Sequence, residues 1–140
     1  MLRSLLRRKT EENEEPESAV NAGEAAGRLF AAGRNCAQAV LQAATGLDSP
    51  ELLRLAEPFG GGVGGSKCLC GAVSGGVLAL GLRGKGNLAG RLVTEFRKTQ
   101  GATCCASLSR TYRWKSREHL ANCRRITEET AAVVADLLEE

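Results

Sequence analysis

The chain has 140 residues, of which 43% are hydrophobic, 25% charged and only 4% aromatic, and it carries a formal charge of +3. That length supports one domain with its own core and is short for two, and the charge is too mild to announce a nucleic-acid binder. The longest apolar stretch, Val77 to Leu82, falls far short of the roughly 20 residues of a membrane span.

Residues 1–17 read as a charged, disordered tail: Arg3, Arg7, Arg8 and Lys9, then five glutamates and Pro16. The twin arginine is followed by a Glu-rich segment instead of an apolar one, so no secretory signal is expected, and a short basic anchor is the alternative to a frayed tail. A cytoplasmic location follows as the expectation. Structural disulfides are uncommon there, so six cysteines point toward metal or redox chemistry.

A single domain is expected over residues 18–140. Ser18 is placed to cap a helix reaching Ala32, with Val20, Ala25, Leu29 and Phe30 as its apolar side and Gly33 as its stop. Asn35 caps a second helix to about Ala44, closed by Gly46. Ser49-Pro50-Glu51 opens a third, with Pro in the first turn, and carries Leu52, Leu53 and Leu55 toward Phe59. A glycine-dense loop spans Phe59 to Lys67.

Cys70 to Leu82 has almost no polar surface and reads as the central buried helix. Its glycines, Gly71, Gly75, Gly76 and Gly81, lower helix propensity, which points to close approach of neighbouring helices or of a cofactor. Asn87 to Thr99 follows, with Leu88, Leu92, Val93 and Phe96 inward and Gly101 as its end. A short helix starts at Cys105, Arg110 to Glu118 is a connector, and a last helix runs from about Cys123 to Leu138 on a stripe of Ile126, Thr130, Val133, Val134 and Leu137. No segment alternates with period two. The expected fold is all-α, a compact bundle of six or seven short helices. Its abundance of Ala and Gly makes a homodimer one way to enlarge a small core.

Cys36, Cys70, Cys105 and Cys123 each fall at an expected helix start, where free backbone N–H groups and the positive dipole end favour a thiolate. Four thiolates from four helices would complete an iron–sulfur or zinc ligand set. Their spacings of 34, 35 and 18 positions are not those of a ferredoxin or a zinc ribbon, and buried cysteines acting as small hydrophobes are the plainer alternative. Cys68 and Cys104 are candidate resolving thiols or incidental neighbours. A bond between adjacent Cys104 and Cys105 would be strained.

Gly60 to Lys67 nearly copies a P-loop, but its last two residues are swapped and no strand precedes it, so a nucleotide triphosphatase is rejected. The loop suits backbone N–H groups approaching sulfur or an anion, and Gly61, Gly62, Gly71 and Gly75 are the candidate contacts to a bound group. Arg110 to His119 mixes bases with aromatics, which single strands can use. It reads better as a solvated connector docked by Tyr112 and Trp114, so no nucleic acid is expected. His119, the one histidine, is either a ligand or proton donor near Cys123 or a surface residue.

NCAQAVL around Cys36, FGGGVGG followed by CGAVSGG around Cys70, the later GLRGKG, the GxxxCxxL stretch around Cys105 and the Cys123-led terminal helix resemble the C_GCAxxG_C_C family over about residues 24–140. The resemblance implies that the family's four cysteines are Cys36, Cys70, Cys105 and Cys123, and that Gly71, Gly75 and Gly76 carry its glycine portion. It further implies redox function, or a prosthetic group such as an iron–sulfur cluster; a protein holding such a cluster is expected to carry electrons or serve an oxidoreductase or electron-transfer partner. Cys68, Cys104 and the basic connector lie outside the pattern. Three readings follow: an iron–sulfur protein, a metal-free thiol–disulfide protein with pairs such as Cys70 and Cys105 cycling, and a structural zinc or binding module.

Overall fold

The computed structural model describes residues 19–140. The expected tail over residues 1–17 and the Ser18 cap lie outside them. Among the described residues all regular structure is helical: α1 (Ala19–Ala31), α2 (Cys36–Thr45), α3 (Pro50–Ala56), α4 (Gly71–Leu82), α5 (Ala89–Gln100), α6 (Cys105–Leu108) and α7 (Arg117–Leu138), with three short 3-10 turns. None of these helices is long and apolar enough to cross a membrane.

Local chemistry fixes where the helices begin. At α2 the Asn35 side chain accepts the Gln38 N–H at 2.9 Å, and the Gln38 side chain accepts the Asn35 N–H at 3.0 Å. This reciprocal cap satisfies two donors that a helix start leaves free. The same two side chains donate to the carbonyls of Glu57 and Leu53, each at 3.0 Å. The start of α2 is thereby tied to α3 and to the turn that feeds the glycine loop. Ser49 caps α3, and Gly46 ends α2 at φ +73°.

Helix α4 runs through the middle and buries Ala72, Val73, Ala79 and Leu80 among α2, α5 and α7. Its glycines are what let the neighbours come so close. A methyl at Gly75 would enter the Ala37 backbone of α2, and one at Gly76 would meet the side chains of Leu92 and Val134. Leu41, Leu80, Leu92, Val40, Val73 and Val134 form the fully buried centre.

One expected boundary is wrong. The last helix starts at Arg117, six residues before Cys123, because the Ser116 hydroxyl accepts the His119 N–H at 3.1 Å and Glu118 sits favourably in the first turn. Asn122, which precedes the expected start at Cys123, directs its amide to the Leu108 carbonyl at 3.4 Å. Cys123 therefore lies in the second turn of α7, not at a helix start.

Candidate functional site

Four separate elements bring the four cysteines to one place. Cys36 is the first residue of α2, Cys70 caps α4, Cys105 is the first residue of α6, and Cys123 comes from inside α7. All four line a single cavity of about 320 Å3, whose other walls include Phe30, Leu108, Trp114, His119, Leu120 and Ile126. Thr127 also borders it, and its hydroxyl is fully buried without a hydrogen-bond partner.

Their surroundings separate the four thiols. The neighbouring Cys70 thiol is the main reason the Cys105 thiol falls to about 7. Burial opposes the shift, and the N–H groups of Gly71 and Cys105 reinforce it. The same pairing, followed by burial, pushes Cys70 well up. Burial raises Cys36 despite N–H groups from Gly61 and Ala37, and raises Cys123 to about 11, where charge on Cys36 or Cys105 adds to it. A place at a helix start is thus not sufficient for a thiolate. Cys36 and Cys70 both hold such places, yet burial at Cys36, and the Cys105 neighbour followed by burial at Cys70, outweigh the backbone donors.

His119 corrects the surface reading. It is only 3% exposed, because the earlier start of α7 turns it inward. Its Nδ1 accepts the Lys115 N–H at 2.8 Å, so the ring's one proton sits on Nε2, which lies 3.4 Å from the Cys123 sulfur. Burial, and then the charge of Lys67, lower its pKa. Trp114 packs on the imidazole with ring centroids 4.3 Å apart, and the Lys67 ammonium sits 4.4 Å from the Trp114 ring. Trp114 thus docks the basic connector as expected, whereas Tyr112 is exposed.

Of the four candidate glycines, two touch sulfur. Gly61 directs its N–H to Cys36, and Gly71 directs its N–H to Cys105. A methyl at Gly71 would also overlap the Cys36 sulfur. Gly62, at φ +86°, faces the loop's own backbone at Lys67 and Cys68, and Gly75 faces α2.

Cys68 and Cys104 form a disulfide with Cα atoms 4.3 Å apart, a pairing the sequence reading did not make. Residues 67–70 and 103–106 lie side by side. Cys70 N–H donates to the Thr103 carbonyl at 2.7 Å, and Ala106 N–H to the Lys67 carbonyl at 3.0 Å. A C-x-C facing a C-C was the signal available. It offers two matched partners, 68 with 104 and 70 with 105, at nearly equal separations.

Four thiols are suitable donors for an iron–sulfur cluster or zinc. Yet among the described residues no three His, Cys, Asp or Glu side chains gather closely enough to hold one metal ion. The arrangement present is the Cys70–Cys105 pair beside Cys36 and Cys123, whose thiols burial pushes up.

A family model described as "Putative redox-active protein (C_GCAxxG_C_C)" matches residues 34–137, which include all six cysteines. No curated protein and no solved structure matches the chain. With the match covering most of its length, the chain belongs to the C_GCAxxG_C_C family of redox-active proteins.

Proposed function

We propose that this protein is a thiol–disulfide redox protein whose reacting pair is Cys105 and Cys70, exchanging electrons with an oxidoreductase partner in the cytoplasm. The observation that carries this reading is the pairing of Cys70 and Cys105 at the wall of one cavity, where each thiol shifts the titration of the other. It supplies a nucleophile and a second thiol in contact with it. The Cys105 thiolate attacks one sulfur of an incoming disulfide, and the other sulfur leaves and takes the Cys70 proton. Cys70 then attacks the Cys105 sulfur and expels the second thiolate. The incoming disulfide has gained two electrons, and Cys70 and Cys105 are joined. Cys36 and Cys123 keep their protons and, with Trp114 and His119, wall the cavity.

The test is differential alkylation of the native protein with peptide mapping. Cys105 is expected to react first, with a rate midpoint near pH 7, and diamide should yield a Cys70–Cys105 bond reversed by dithiothreitol. Slow alkylation of every cavity cysteine, with no such bond, overturns the reading.

A second reading is favoured by the four sulfurs sharing one cavity, with the N–H groups of Gly61 and Gly71 on two of them. Here Cys36, Cys70, Cys105 and Cys123 would hold an iron–sulfur centre, which supplies one-electron transfer, and those N–H groups would raise its potential. Anaerobic purification with iron, acid-labile sulfide and zinc analysis decides it. Iron and sulfide lost on Cys70→Ser favour the cluster, and a colourless zinc protein favours the structural module.

A further inference from the structure

Two cysteine pairs bridge the same two facing segments, one outside and one inside. The Cys68–Cys104 bond lies at the surface, with Cys68 exposed and Cys104 half-buried. Cys70 and Cys105 lie just beneath, 6% and 8% exposed, at the cavity wall. The backbone bonds from Cys70 N–H to Thr103 and from Ala106 N–H to Lys67 hold the segments in this register. Either bridge would close a loop of nearly the same size, since positions 68 and 104 are 36 apart and positions 70 and 105 are 35 apart. Loop entropy therefore hardly favours one over the other.

We infer that the Cys68–Cys104 disulfide is a second redox pair, which exchanges with the Cys70/Cys105 dithiol and presents its electrons at the surface to a partner protein's disulfide. This rests on the thiol–disulfide reading and extends it to partners too large for the cavity.

The exchange balances within the chain. The Cys105 thiolate attacks the Cys68 sulfur, because a bond to adjacent Cys104 would be strained, and Cys104 leaves as a thiolate. The Cys70 proton passes to Cys104. Cys70 then attacks the Cys105 sulfur, forming Cys70–Cys105 and releasing Cys68 as a thiolate. One disulfide, one thiolate and one protonated thiol stand on each side of the equation. The outer dithiol can next reduce a partner's disulfide by the same two steps.

The test uses the full chain with Cys68–Cys104 formed and the other four cysteines reduced. It is held anaerobically near neutral pH, quenched in acid, alkylated, and mapped without reduction. Cys70→Ser stops the exchange halfway, and serine suits the helix-cap position it would occupy. This variant should accumulate a Cys68–Cys105 bond, with Cys104 labelling about tenfold above that in Cys105→Ser. In the unmutated protein two preparations are compared, the native one and one fully reduced and then given a single equivalent of diamide. Both should converge on the same ratio of Cys68–Cys104 to Cys70–Cys105 bonds. Cys104 staying unlabelled in Cys70→Ser, or ratios that never converge, overturns the relay. If excess diamide still joins Cys70 to Cys105 in that case, the simpler dithiol reading survives. If it never does, both fall together.

Discussion

His119 Nε2 lies 3.4 Å from the Cys123 sulfur, one turn earlier on the same helix, and the Lys115 N–H on Nδ1 leaves the ring proton on the Cys123 side. The imidazole is held neutral between Trp114 and the cavity, with the Lys67 ammonium over the indole. A proton added at Nδ1 would break the Lys115 bond and place a charge in a buried site.

That arrangement has a pH signature. The folded pKa of His119 is lowered, by burial first and then by Lys67, so below about pH 6.5 the unfolded chain binds the extra proton more readily. Stability contributed by the neutral ring is present above that pH and is lost as pH falls toward the lower folded value. The melting temperature of the native protein should drop more steeply between pH 7.5 and 5.5 than that of His119→Gln. Parallel pH profiles would show that the histidine is not held neutral.

The low Cys105 value depends on its neighbour. In Cys70→Ala the neighbouring thiol is gone, and the alkylation midpoint of Cys105 should move from about 7 toward or above the ordinary thiol range. At pH 7 the rate would fall by about tenfold. An unchanged midpoint would assign the activation to the Gly71 and Cys105 N–H groups alone.

Three glycines of α4 separate backbone from side-chain contact. A methyl at Gly75 meets the Ala37 backbone, which cannot yield, and one at Gly76 meets the ends of Leu92 and Val134, which can. A methyl at Gly81 meets nothing. Urea unfolding should rank Gly81→Ala above the native protein by about 0.5–1 kcal/mol. Gly76→Ala should fall below it, and Gly75→Ala lower still, by about 1–3 kcal/mol or more. Equal losses at positions 75 and 76 would refute the assigned contacts.

Thr127 carries a fully buried hydroxyl with no partner. Thr127→Val keeps the branched shape and removes the unsatisfied group, so it should stabilise the protein by about 1–2 kcal/mol. A loss of stability would mean that the hydroxyl is satisfied in solution.

Much of the fold was legible because its signals are local. Asn35, Gly46, Ser49 and Gly101 mark ends that backbone geometry enforces, and the unpatterned apolar run after Cys70 could only be an enclosed helix. The start of α7 was missed because Ser116 and Asn122 are both good caps, and only the docking of Trp114 and His119 selects the first. The four family cysteines were found as a set from their sequence contexts. What separates them was not legible, because burial and the pairing of Cys70 with Cys105 arise from tertiary neighbours. The Cys68–Cys104 bond was hidden for the same reason, as it depends on two distant segments lying in register.

Helix α4 bears on quality control of the reactive site. Four of its twelve residues are glycine, each costing about 1 kcal/mol of helix propensity against alanine. Outside the bundle such a segment has little reason to stay helical. Cys70 caps that helix, and Gly71 supplies an N–H to the Cys105 sulfur. A chain that has lost the packing around α4 therefore loses its activated thiolate as well. Damaged or half-assembled copies fall chemically silent instead of reacting at random, so conformational integrity acts as the licence for reactivity.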